Sequence, residues 1–591
     1  MLLNDKMNRL IILLLSIHTI SCFRYHINHI KSSRRTHNAV SSSQQDSYLG
    51  IIGYDPPDSV VQASFDIVDK IDVVDYVVIG SGVGGLSAAS LLNYYNYTVL
   101  VLESHYLPGG CAHTFERDGY KFDAGPSLWN GMDTRPYNPL RQILEIIGEG
   151  QSVEYKKYDG WMMGIPEGEF KFKVGEGNFE PIIKKFGGEN ALKEWNELNQ
   201  AIKPLQELAC SINPLSLRND FGLLLTIFPY LLGLLKGVTV ASQVEGNFKD
   251  VIKGIVKDKF LCNWFEFLSF ALSGMPADGT IAAAVVYTMR DLHQRRATLD
   301  YPVGGSGAIV DALVRGVEKN GKGKVLTSTH VEQILIEDGK ATGVKLKRNG
   351  KVIKAKRSVI SNASIWNTLE LIKDEDLNPE IRKTKYNTPM TDSFMHLHIG
   401  IDATGLPADL ESHYSVINSW ENGINAPQNH VIISIPSTLD RSLCPAGCHV
   451  IHAYLNACEP YNVWENKTSR EEYNKLKEQR AEVLWKAIER FIPDVRSRVK
   501  VNLVGSPITH ARFNRRHRGT FGPAIVPGSG SKLPYPKFEG VNNLYLCGDS
   551  IFPGIGLPAV ASSGANAASS SVPVQKHLKM LEDLKLVNKD D

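Results

Sequence analysis

Residues Val73 to Ile79 read VVDYVVI and run straight into Gly80-Ser81-Gly82-Val83-Gly84-Gly85, after which Leu86 to Tyr95 carry apolar residues at helical spacing. A β-branched run of this kind is the pattern of a strand buried on both faces of a parallel sheet. Strand, glycine turn and helix thus occur in order, which commits the chain to an α/β fold with a Rossmann-type unit. Gly80 permits the tight turn, Gly82 lets the backbone approach a pyrophosphate, and Gly85 lets helix and strand pack closely; Gly84 belongs to the same turn. The helix N-terminus then offers unpaired N–H groups to the phosphates. A second strand, Thr98 to Leu102, delivers Glu103, 18 positions after Gly85. A carboxylate there accepts hydrogen bonds from a ribose diol and repels a 2′-phosphate, so NADP is disfavoured.

Of the 591 residues, 43% are hydrophobic and 22% charged, which is ordinary globular composition and excludes a disordered, collagenous or polytopic membrane chain. Lys plus Arg number 65 against 63 Asp plus Glu, with no long basic stretch in the body of the chain, so nucleic acid is not an expected partner. The eight cysteines are scattered, and Cys444 and Cys448 lack both knuckle spacing and a second pair. No metal site and no disulfide framework is expected, and reduced thiols fit best.

The first 72 residues read as targeting segments and a linker. In residues 1–22, Lys6 and Arg9 precede the apolar run Leu10 to Leu15, which closes on Ser21 and Cys22; this is the order of a secretory signal peptide. Residues 23–72 begin with Phe23 to Gln45, which hold four basic residues, many serines and no acidic residue, a transit-peptide composition. The tandem resembles the bipartite presequence of algae whose plastid lies inside extra membranes. A plain secretory signal and an unstructured tail are the alternatives.

Further along, Pro108-Gly109-Gly110 comes after Glu103, and the short strand Leu544 to Cys547 ends in Gly548-Asp549. Together with ESHYLPGGCAHTFERDGYKFDAGPS (103–127), TLDYPVGGSGAIVDALVRG (298–316), VISNASIWNT (359–368), THARFNRRHRGTFGPA (509–524) and GDSIFPGIGLPAVASSG (548–564), these segments resemble the carotenoid isomerase branch of the FAD-dependent amine oxidase and phytoene desaturase superfamily. The likeness runs from about residue 73 to 575. It implies that FAD is the cofactor, with Gly109 and Gly110 at the pyrophosphate, Gly548 and Asp549 at the ribityl and phosphate groups, and the Val331 backbone at adenine. Gly554 and Gly556 introduce a small-residue helix from about Ala559 to Ser571, whose positive end would favour reduced FADH⁻. The implied architecture is a discontinuous FAD domain (73–140, 295–390 and 505–580), an α+β substrate domain (141–294 and 391–504) and a tail (581–591).

A carotenoid substrate would have to leave a membrane. Phe221 to Leu235 hold no charge, yet at about 1.5 Å per residue they are too short to span, and Pro229 sits in the middle. Such a segment could lie in one leaflet as a monotopic element; a buried core helix is the alternative. Cys262 to Leu272 could line a tunnel or fill the core. Reduced flavin beside a polyene could lower a bond order transiently and give cis–trans isomerisation, whereas net electron transfer would give desaturation or saturation, admitted water a hydration, and no reaction at all a non-catalytic pigment-binding flavoprotein. No residue identifies itself as catalytic acid or base. Arg515, Arg516 and Arg518 could approach the flavin or form a solvated loop, and His113 reads as a structural donor. Departures from the branch lie at Ala284, where an acidic residue is usual, at Leu292 to Arg295, and at Ile555. Oligomeric state is not legible.

Overall fold

The computed structural model describes residues 58–465, 469–527 and 533–587. The expected signal peptide (1–22) and residues 23–57 of the expected transit peptide and linker lie outside the described residues. Residues 58–72, expected to belong with the linker, instead form the helix Asp58–Val68, and its Phe65 and Val68 are buried against the first sheet. The expected tail is shorter as well: the helix Val574–Val587 carries Leu581 and Leu584 into the core, so apolar spacing continues the fold past residue 580.

The first sheet runs in the order Val331–Glu337, Lys340–Leu346, Val352–Ser361, Val73–Ile79, Val99–Leu102, Gly323–Leu326, with Leu544–Leu546 pairing to Val352–Ser361. Val73–Ile79 pairs in parallel with both Val352–Ser361 and Val99–Leu102, and Leu544–Leu546 is parallel to Val352–Ser361. In Val73–Ile79 the central residues Tyr76, Val77 and Val78 are fully buried because helices or loops cover both faces, the condition a parallel sheet requires. Asp338-Gly339 forms a hairpin turn between two antiparallel strands, both residues at positive φ.

The second sheet runs Val499–Gly505, Ser393–Asp402, Cys448–Glu459, His430–Ser434, His413–Ile417, Gly160–Ile165, Gly168–Lys173. It joins the two separated intervals of the expected substrate domain, since His413–Ile417 pairs in parallel with Gly160–Ile165. Beneath it the helix Lys259–Ser273 buries Trp264, Phe265, Phe267, Leu268 and Phe270 in one core with Phe172, Phe179 and Trp195. The aromatic stripe is therefore core.

The uncharged segment is broken at Pro229. It forms helix Leu223–Ile227, a 3₁₀ turn Phe228–Tyr230 and helix Leu231–Gly237. One side buries Leu223, Ile227 and Leu234, while Phe221, Phe228 and Leu232 stand 81%, 71% and 76% exposed. Among the described residues no helix is long and apolar enough to cross a membrane.

Candidate functional site

The parallel strands of the first sheet all end on the same side, and the residues just beyond their ends meet there: Gly80 after Val73–Ile79, Glu103 after Val99–Leu102, Asn362 after Val352–Ser361 and Gly548 after Leu544–Leu546. This is the edge at which open α/β sheets bind ligands. Gly80 takes φ 88°, a conformation that only glycine adopts without strain, and its N–H donates to Leu102 O at 2.8 Å. Glu103 is buried and accepts from the Ser81 N–H at 2.8 Å, the Ser81 hydroxyl at 2.7 Å and the His105 N–H at 2.7 Å. Its carboxylate is thereby fixed against the glycine turn.

The second glycine pair closes on the first. The Gly109 N–H donates to Ser81 O at 3.0 Å, and a Cβ on Gly110 would stand 3.1 Å from the Gly82 Cα. The late segment completes the cradle: a Cβ on Gly84 would stand 3.0 Å from the Gly548 amide, which itself donates to Ser563 Oγ at 2.8 Å. Val331 opens its strand two residues after Thr329, whose N–H donates to Glu103 O at 2.7 Å. Gly554 and Gly556 precede the helix Leu557–Ser571, with Gly556 as its cap residue.

Two helices, Val83–Tyr94 and Leu557–Ser571, start in this region, and neither has a side chain capping its first amides. Unpaired amides at a helix start carry roughly half a positive charge. Their donors suit a pyrophosphate and an electron-rich ring edge, and the residues present therefore fit a dinucleotide.

Residues 83–570 match the family of flavin containing amine oxidoreductases. A chloroplastic prolycopene isomerase of an Oncidium hybrid cultivar is 32% identical over 536 residues, 87% of each chain. An all-trans-retinol 13,14-reductase of Danio rerio is 25% identical, over 81% of this chain and 82% of that protein. The solved oxidoreductase of Methanosarcina mazei superposes with a TM-score of 0.54 at 20% identity, over 83% of this chain and 98% of that one.

The chain belongs to the flavin containing amine oxidoreductases. Within them it lies in the carotenoid isomerase branch, and a flavin is its cofactor.

In this amine oxidoreductase the Arg515 to Arg518 loop is no uniform solvated surface. Arg516 donates to Asp549 Oδ2 at 2.5 Å and to the Thr520 and Phe521 carbonyls at 2.7 and 2.6 Å. Arg518 turns away, to Glu465 at 2.6 Å. Ile555 packs against the same loop, its Cδ1 2.7 Å from where a Cβ on Gly522 would be. His113 is the structural donor expected, with Nδ1 2.6 Å from the Gly110 carbonyl, and burial lowers it to about 4. Burial pushes the thiols of Cys111 and Cys547 up, away from thiolate chemistry.

Sequence reasoning passed over three features. Asn362 sits at the centre of the cradle: its Nδ2 would be 2.5 Å from a Cβ on Gly82 and its Oδ1 2.8 Å from one on Gly84. Its position directly after the apolar strand was the available signal. Asp291, in the same helix Ala282–His293 as Ala284, is raised by burial to about 6, against the pull of Arg290. Its Oδ2 accepts from Asn130 at 3.3 Å. A cluster of buried histidines, His396, His398, His452 and His510, also lies close to the second glycine pair, and the first two are marked by strand spacing.

Proposed function

We propose that the chain is a plastid FAD-dependent isomerase that converts a cis bond of a carotenoid to trans with reduced flavin, without net redox change. What carries the reading is one conjunction: the glycine turn, Glu103, the second glycine pair and Gly548-Asp549 form a single cradle, in a chain 32% identical over most of its length to a prolycopene isomerase. Glu103 would hold the adenosine ribose and the Val331 backbone the adenine. Gly80, Gly82, Gly84, Gly85, Gly109 and Gly110 would admit the pyrophosphate. Asp549, oriented by Arg516, would face the ribityl chain, with Gly554 and Gly556 admitting the flavin to the last helix.

FAD supplies, when bound and reduced, charge that lowers a polyene bond order. The protein supplies a fixed positive end at Gly556 and a site roofed by the second sheet. The exposed face of residues 221–232 would rest in one leaflet of the membrane, from which the polyene enters. Plastid delivery by a bipartite N-terminal presequence accords with the chloroplastic relatives.

The likeness to a retinol reductase favours one alternative, net saturation of a double bond. Anaerobic incubation of the reduced, FAD-loaded protein with cis carotenoids separates the two. Isomerisation leaves product mass unchanged, saturation adds two hydrogens, and unaltered substrate rejects both.

A further inference from the structure

Cys444 and Cys448 bracket the sequence Cys-Pro-Ala-Gly-Cys, away from the flavin cradle. Cys444 follows the 3₁₀ turn Arg441–Leu443, and Cys448 opens the strand Cys448–Glu459. Between them the chain doubles back. The Cys448 N–H donates to the Pro445 carbonyl at 3.1 Å, Gly447 takes φ 76°, and the Ala403 N–H pins the turn by donating to the Gly447 carbonyl at 2.9 Å. Cys444 Sγ thereby reaches the carbonyl of Cys448 itself, at 3.1 Å.

Tyr120 marks the place of the second sulfur. Its hydroxyl donates to Cys448 Sγ at 3.3 Å. Burial raises this phenol, and the thiols of Cys448 and Cys444 both add to the rise, so the two sulfurs share one site with one hydroxyl. Both cysteines pack on the core that holds Tyr120 and Val450. They are half-buried, while Pro445, Ala446 and Gly447 between them are exposed, which leaves the pair within reach of a reagent from solvent. A disulfide joins Cα atoms usually about 4.4–6.8 Å apart, and a β-turn, whose ends stand within about 7 Å, is the local fold that returns a chain to this range.

A metal centre accounts for the pair less well. A structural zinc takes four ligands. The neighbouring imidazole, His449, has its Nδ1 2.8 Å from the Ser437 hydroxyl. Among the described residues neither cysteine belongs to a group of side chains close enough to share an ion.

We propose that Cys444 and Cys448 form a reversible intramolecular disulfide by exchange with a small-molecule disulfide of the class of oxidised glutathione. Cys448, the sulfur held by Tyr120, attacks first as the thiolate: a mixed disulfide forms, the S–S bond of the reagent breaks and one thiolate leaves. Cys444 Sγ then attacks the mixed disulfide, its proton passes to a departing thiolate, and the second reagent thiol is released. Two protein thiols lose two electrons in all, and the reagent is reduced to two thiols. Burial raises the Cys444 thiol, and Cys448 beside it raises it further, against the pull of Ser437 and Arg441. That suits Cys444 to the second step, where tethering supplies the effective concentration that a free thiol lacks. The proposal stands apart from the flavin reading.

The test uses the full-length protein incubated with FAD, reduced, freed of reductant and held well below its melting midpoint. Excess oxidised glutathione is added, remaining thiols are alkylated with iodoacetamide, and the cysteines are mapped by peptide mass spectrometry. The wild type is expected to lose two alkylatable thiols, those of Cys444 and Cys448, with their peptide lighter by two hydrogens, and dithiothreitol restores both. Cys444→Ser is expected to retain one glutathione on Cys448, because the resolving sulfur is gone. A wild type in which both cysteines are still alkylated, or in which each carries its own glutathione, overturns the proposal whether or not the variant folds. Pairing of either cysteine with any other overturns it too, as does a Cys444→Ser protein of wild-type melting midpoint that carries no glutathione on Cys448.

Discussion

Gly84 and Gly564, separated by most of the chain, press together so closely that a Cβ on Gly564 would stand 2.1 Å from the Gly84 carbonyl oxygen. The contact locks the helix Leu557–Ser571 onto the helix Val83–Tyr94, and with it the late Gly548-Asp549 segment onto the first glycine turn. Gly564→Val forces backbone apart in a packed core, where overpacking typically costs about 1–3 kcal/mol or more. A lowered melting midpoint and lost flavin are expected; wild-type values for both would show that the two helices do not depend on this contact.

Glu103 should govern affinity for the cofactor. Its carboxylate accepts from Ser81 and His105 at 2.7–2.8 Å and from the Ser104 hydroxyl at 3.3 Å, the long contact that a ribose hydroxyl would replace. Hydrogen bonds to charged groups contribute about 1.5–3 kcal/mol, so Glu103→Gln is expected to weaken FAD binding roughly ten- to a hundredfold. Titration of the apoprotein by flavin fluorescence reads this directly.

The Arg516 and Asp549 pair couples two segments at the ribityl end of the proposed flavin. Removing one member of a partly buried pair leaves the other undercompensated, at about 1–3 kcal/mol. Arg516→Met and Asp549→Asn should each destabilise by that amount, and the double variant by less than their sum. Additive losses in a denaturant-unfolding cycle would show that the pair is not coupled.

Membrane association should reside in the exposed face of residues 221–232. Fully burying one large apolar side chain is worth about 1.5–3 kcal/mol. Replacing Phe221, Phe228 and Leu232 together by serine should therefore lower partition to lipid vesicles more than about a hundredfold. The melting midpoint should hold, because these side chains are largely exposed. Unchanged vesicle flotation would reject the monotopic reading.

Stability should fall on acidification. Burial lowers His105, His113, His398 and His413 to about 4, and His430 and His510 to about 3. In the unfolded chain such groups titrate near 6.5, so between these values the unfolded state binds more protons and stability rises with pH. The contribution is complete above about pH 6.5 and is lost as pH falls through 4. Burial raises Asp123, Asp300 and Asp291, the last to about 6, and these carboxyls act in the opposite direction over part of the same range. With histidines in the majority, the melting midpoint should drop from pH 6.5 to pH 4.5; a flat or rising midpoint would contradict the burial of these rings.

The elements that sequence placed well are those whose signal is local. The strand Val73–Ile79 and the glycine turn arise from a β-branched run and from a glycine at positive φ, Gly80, which neighbouring residues dictate. Glu103 was legible because the distance from strand to acid is set by one βαβ unit. The breaking of residues 221–237 at Pro229 was half legible: the proline announced a kink, but which side would be buried depended on what packs below.

The chain's own order of residues thus determined the glycine turn with Glu103 beside it, and the family to which the chain belongs. Tertiary structure alone decided that Asn362 stands inside the cradle, that Arg516 pairs with Asp549, and that His396, His452 and His510 touch in a row. Each of these joins residues whose separation along the chain carries no periodicity. Contacts between remote segments are fixed by how two sheets and their helices pack, and packing is a property of the whole surface in contact and of no single run of residues.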